Sequence, residues 1–143
     1  MTPLPLPRDR LAGCVWLPRI AGKIRAMAAG ELPPEYAARF CDHDSIDEHF
    51  LNFFAMEKAE LMAAVERTGN DDAALKGWFV TRPGVDAQRI SDWNEFAETL
   101  GRPGHPMAQR FIDVLPRMYA HLDPTSVHSI FDLLEADETD AAK

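Results

Sequence analysis

The chain has 143 residues, 46% of them hydrophobic and 27% charged, with a net charge of −8. That length closes one hydrophobic core without disulfides or metal, so a single domain over residues 1–143 is expected, with 1–15 an irregular leader packed on it. The acidic balance argues against nucleic acid and membrane surfaces as partners, because both attract basic surfaces.

The charge is unevenly spread. Residues 1–39 carry a net +3 and the rest a net −11, which suggests a basic N-terminal segment lying on an acidic body. Cys14 and Cys41 have no CxxC spacing and read as reduced thiols. The opening MTPLPLPRDRLAG is broken by prolines and charges where a signal peptide is continuously apolar. No later stretch approaches the roughly 18 apolar residues of a membrane span, and a cytoplasmic location is expected.

In chain order, Pro18 suits the first turn of a helix, and Ile20, Ile24 and Met27 form its apolar stripe until Gly30 stops it. LPPEY (Leu32 to Tyr36) reads as extended, because each proline disfavours helical geometry in its predecessor. Ser45 and Glu48 have capping-box spacing ahead of a second helix with Ile46, Phe50, Leu51 and Phe54. A third, about Glu57 to Thr68, buries Leu61, Met62 and Val65 and ends at Gly69. Asn70 to Asp72 cap a fourth with Leu75, Trp78 and Phe79. Asp86 caps a fifth with Ile90, Trp93, Phe96, Ala97 and Leu100. The sixth starts near Met107 and meets Pro116, which must kink or end it. Asp123-Pro124 then starts a seventh, with Val127, Ile130, Phe131 and Leu134 inward. No segment alternates with period two. The predicted class is all-α, a compact single-domain bundle of about six to seven short helices.

Taken in order, WLPRIAGKIR, GELPPEY, SIDEHFLNFF, DWNEF and SIFDLLEADE resemble, over nearly the whole chain, a bacterial family catalogued as domain of unknown function 5069. The resemblance implies a compact helical domain of the cytoplasm and no particular activity. The family pattern often has an Asp just before the first-helix Lys and closes on an Asp-Glu-Gly-Arg run. Here Gly22 and, after Glu138, Thr139-Asp140 stand instead, so this chain lacks the residues for any family-wide site that used them.

The opening cations raise the main functional question. Arg19 and Lys23 border the stripe of the first helix, ~40° apart around its axis. A cation near a helix start costs ~0.3–1 kcal/mol, and a desolvated unpaired one several more, so each needs a partner. One candidate is the acidic close DLLEADETD, where Asp132, Glu135, Asp137 and Glu138 oppose the dipole at the other end of the chain. The alternative is an anionic ligand. Tyr36, Trp93 and Asn94 complete the candidate ligand-binding set with Arg19 and Lys23; Trp93 also fits a core anchor, and Asn94 a group bonded to a loop.

CDHDSIDEH (Cys41 to His49) has the composition of a metal site, but Asp47 and His49 lie ~200° apart on a helix, so no metal is expected. Nothing implies a cofactor. G-x-S-x-G, P-loop and G-x-G-x-x-G patterns are absent; Cys14 reads as a buried filler, and Cys41 with His43 as a formal thiol–imidazole pair. No catalytic residue is assigned. Two functions stay open. One is a non-enzymatic binding or interaction domain with a protein partner, its N- and C-terminal segments joined by a structural ion-pair network. The other is an enzyme or sensor that holds a small carboxylate or phosphate with Arg19 and Lys23.

Overall fold

The computed structural model describes residues 3–141. Among the described residues two short strands, β1 (Arg10–Leu11) and β2 (Cys14–Val15), precede eight helices. These are α1 (Leu17–Ala28), α2 (Pro34–Arg39), α3 (Ile46–Phe53), α4 (Lys58–Thr68), α5 (Asp72–Phe79), α6 (Ala87–Thr99), α7 (Ala108–Met118) and α8 (Ile130–Ala141). The protein is therefore all-α in class, with one helix more than the periodicity predicted and a minimal hairpin. Among the described residues no helix is long and apolar enough to cross a membrane.

The hairpin comes from local chemistry. β1 and β2 are antiparallel, with Arg10 opposite Val15 and Leu11 opposite Cys14. Ala12 and Gly13 between them both have positive φ, as a two-residue turn between right-twisted strands requires. Strands of two residues are too short to show a period, which is why the leader reads as irregular in sequence.

Three local expectations need correction. LPPEY is extended only at its start: Pro33 has ψ 147°, but Pro34 opens α2. Proline restricts the residue before it and fits the first helical turn, so Glu35 and Tyr36 are free to be helical. In α3, Ser45 accepts from the Glu48 N–H at 3.1 Å, but the Glu48 carboxylate reaches back one residue further than a capping box, to the Asp44 N–H at 3.0 Å. Asp123-Pro124 does not start a helix. Asp123 Oδ1 instead accepts from Thr125 N and Oγ1 at 2.9 and 2.7 Å, closing a turn, and α8 begins after Ser129, whose Oγ accepts from Asp132 N at 3.2 Å.

The core is aromatic at its centre. Phe50 meets Phe54 at 5.1 Å and Trp93 at 5.4 Å, both edge-on, and stacks on Phe79 at 6.1 Å. These rings bury large apolar areas and add orientation-dependent contacts of ~0.5–1.5 kcal/mol per pair. Around them α1 packs on α4 and α2, and α6 packs on β2, α3 and α8. The leader passes over α1 at Gly22, where a Cβ would lie 2.8 Å from Pro5 Cδ. The missing side chain at Gly22 is thus what leaves room for Pro5 of the leader.

Candidate functional site

Trp16 organises the surroundings of both α1 cations. It precedes the helix in the left-handed conformation, φ 73°, which is unusual for a bulky side chain, and its ring stacks on Phe131 at 5.7 Å. The Arg19 guanidinium lies 5.3 Å and Lys23 Nζ 4.8 Å from the centre of that ring. Cations over an indole face are attracted by its quadrupole. One aromatic surface therefore carries two buried positive charges, Arg19 being 1% and Lys23 6% exposed.

Their partners differ. Arg19 holds the Glu138 carboxylate with both terminal nitrogens, at 2.8 and 2.7 Å, and donates to the Pro5 carbonyl at 3.0 Å. Tyr36 packs over the guanidinium at 5.8 Å, and burial raises its phenol above the ordinary value. Lys23 does not join the C-terminal acids. Its partner is Asp47, at 3.2 and 3.4 Å. Asp47 is itself buried and accepts from the Trp16 indole N–H at 2.8 Å and from the Cys41 N–H at 3.1 Å.

The other acids of α8 belong to a different cation. Arg8, in the leader, takes Asp132 at 2.7 Å, Glu135 at 3.0 Å and Glu98 of α6 at 2.8 Å. Its backbone N–H also donates to Glu135. The hydrogen bond to Glu98, followed by those to the other two acids, raises the Arg8 guanidinium above its ordinary value. Asp137 pairs with His121 at 2.7 Å. Of the four C-terminal acids considered for Arg19 and Lys23, only Glu138 meets either.

Trp93 and Asn94 work at the opposite side of β2. The Trp93 indole donates to the Val15 carbonyl at 2.9 Å, while Asn94 accepts from Val15 N at 3.0 Å and donates to the Gly13 carbonyl at 2.9 Å. Both are saturated by the hairpin. In CDHDSIDEH, His49 pairs with Asp44 at 2.8 Å, and Asp47 turns inward. Among the described residues no group of three metal-type ligands converges.

Lys23 and Asp47 line a cavity of about 100 Å³ between α1, α3, α7 and α8. Arg39, at the end of α2, and Arg110, on α7, supply two further cations to its wall. Arg39 has only long contacts, 3.4 Å to the Asp42 carboxylate and 3.4 Å to the Asp44 carbonyl. Arg110 makes no hydrogen bond or ion pair with any described residue, and burial together with the charge of Arg39 lowers its guanidinium below the ordinary value. Ser45 and Asp47 bring the start of α3 to the same wall, and helix starts carry partial positive charge. The opposite wall is apolar, formed by Met107, Val114, Ile130, Leu133 and Leu134. Met107 has a left-handed backbone, φ 67°, like Trp16 on the other side. Tyr119 also lines the cavity, its phenol raised by burial and then by Asp137.

Of Arg19, Lys23, Tyr36, Trp93 and Asn94, the ligand-binding candidates read from sequence, only Lys23 lines this cavity. Trp16, Arg39, Arg110 and Tyr119 carry no ligand signal in the sequence, and Asp47 stands out there only within the metal-like run CDHDSIDEH. Arg39 and Arg110 stand 71 positions apart with ordinary neighbours, so no local pattern marks them as a pair. The indole ahead of the first helix is the one local signal, since cations three and seven residues later sit over its ring.

Fold and site together define a small helical domain with a buried ion-pair clamp and, beside it, a cavity lined by Lys23, Arg39 and Arg110. The chain belongs to the family described as Domain of unknown function (DUF5069), which matches residues 2–140. No curated protein matches it.

Proposed function

We propose that the protein is a cytoplasmic binding domain for a small organic anion, held in the Lys23–Arg39–Arg110 cavity, with the Arg8 and Arg19 ion pairs as its structural clamp. The observation that carries this reading is Arg110, a partly buried guanidinium on a cavity wall with no acidic partner among the described residues. A half-buried arginine that faces a second cation, Arg39, across the same cavity gains from an anion placed between them. The Asp47 charge does not fill that role, because Lys23, Trp16 and the Cys41 N–H already share it. Planar guanidinium forks match carboxylate and phosphate oxygens, and the apolar wall suits a short hydrocarbon part. The volume equals that of about three waters at liquid density, which limits the ligand to a handful of heavy atoms. The free thiols of Cys14 and Cys41 support the cytoplasmic location.

The test is a thermal-shift and calorimetric screen of small carboxylates and inorganic phosphate on the wild type, Arg110→Ala and Arg39→Ala. A ligand present at a hundredfold over its Kd stabilises by about 2.7 kcal/mol, and both variants are expected to lose most of that shift. Anions that leave the wild type unshifted, or shift Arg110→Ala equally, would overturn the reading.

A further inference from the structure

We infer that Lys23 is a covalent anchor within this cavity, forming an imine with the carbonyl carbon of a bound 2-oxo carboxylate. The inference rests on the anion-binding reading and adds to it the ligand's second functional group. Its basis is the way Asp47 is shared. A lysine in a buried ion pair is normally fixed as an ammonium, because losing its proton strands the carboxylate. Here Asp47 Oδ1 already accepts from the Trp16 indole at 2.8 Å and Oδ2 from Cys41 N at 3.1 Å, whereas its contacts to Nζ are 3.4 and 3.2 Å. The carboxylate thus keeps a hydrogen bond on each oxygen when Lys23 becomes neutral.

The surroundings push the same way. Burial lowers Lys23 below the ordinary value of 10.5, Asp47 opposes this, and the nearby Arg19 charge adds to it. A neutral amine in a desolvated site is the nucleophilic form of lysine. Lys23 is also the one lysine among the cavity's lining residues, and Arg39 and Arg110 line the same space. A 2-oxo carboxylate presents an anion to the arginines and, one carbon away, an electrophile to the amine.

The step balances without a redox partner. Nitrogen forms a bond to the carbonyl carbon, whose π electrons pass to oxygen, and that oxygen takes up a proton. The nitrogen lone pair then expels the oxygen as water. Starting from the ammonium form, the sum is an iminium ion and one water, with no net proton released and no change in oxidation state.

The probe is pyruvate, with lactate as the matched anion that has no carbonyl. Each is titrated calorimetrically, and pyruvate is then incubated with sodium cyanoborohydride and the whole protein digested for mass spectrometry. The expected result is binding of both anions and one reduced adduct per chain on Lys23, with Lys58 and Lys76 labelled no more than in unfolded protein. Lys23→Arg is expected to lose the adduct and Arg110→Ala to reduce it. Mapping on the wild type does not depend on either variant folding. Binding of both anions with no adduct on Lys23, or with label spread evenly over the lysines, overturns the imine and leaves the anion-binding reading standing. Failure of both anions to bind, with no adduct, overturns the two together.

Discussion

Arg19 and Lys23 stand one helical turn apart, over the same indole and almost equally buried, yet their surroundings differ in kind. Arg19 is matched by a two-point carboxylate and a backbone carbonyl, at distances of 2.7 to 3.0 Å. Lys23 has longer contacts to an acid that is already satisfied by others, and an open volume beside it. Burial of a charge therefore does not by itself mark a site. Saturation of its partner separates a clamp from a place where something else can bind.

The sharpest way to break this contrast is to remove each cation. Arg19→Met strands Glu138 in a mostly buried position and is expected to cost about 3–5 kcal/mol in urea unfolding. Combined with Glu138→Gln, it should cost clearly less than the sum, whereas Lys23→Met and Glu138→Gln should add, because those two groups do not meet. Strong coupling between Lys23 and Glu138 would collapse the two regions into one.

Asp47→Asn tests the other member and is expected to cost about 1–3 kcal/mol at neutral pH, since it removes the charged acceptor shared by the Trp16 indole, the Cys41 N–H and Lys23. The pH dependence has a definite sign. The folded value of Lys23 is lowered, so between that value and 10.5 the unfolded chain binds more protons, and stability contributed at this position rises with pH across that window. The groups that set it are Asp47, Arg19 and Cys41, whose thiol is pushed up to about 12 mainly by burial. Unfolding curves of wild type minus Lys23→Met should show the rise. If Lys23 were instead held as a cation, its folded value would lie above 10.5, and the difference would stay flat over this window and fall only above it.

Asn94→Ala cuts two of the hydrogen bonds that tie the hairpin to α6, leaving that of Trp93, and is expected to cost about 1–2 kcal/mol, without changing anion binding. Loss of binding would show that the hairpin, not the cavity, shapes the site. Arg110→Ala is expected to move stability by no more than about 0.5 kcal/mol in either direction, because no described residue depends on it. A large loss of stability would reveal a hidden partner and remove the distinction between the regions.

What could be read from the sequence follows the range of each interaction. Caps and stripes are local, so α1 and α3 to α6 emerge from Ser45, Asp71, Asp86 and Gly69 with little error. α2 is hard to read because a proline's effect on its predecessor masks its own fitness for a helix start, which Pro34 uses. The start of α8 is misplaced because Asp123 has two competing uses, a helix cap and a turn, and Thr125 decides for the turn. Charge pairing is the least legible. The need of Arg19 for a C-terminal acid follows from its place at the core edge, but Arg8 lies outside any periodic segment and Asp47 looks like an ordinary first-turn acid. Which acid meets which cation depends on how α8 and α3 lie against α1, and that is set by packing far away in sequence.

The stacked indole at position 16 has an optical consequence. Its ring lies under two cations, and its N–H ends on the carboxylate that Lys23 also contacts. An indole's emission colour responds to charge fixed along its dipole, so loss of the Lys23 proton or arrival of an anion would shift Trp16 alone, while Trp78 and Trp93 stay as internal references. The protein thus contains a built-in chromophore at the one place where its charge state is in question.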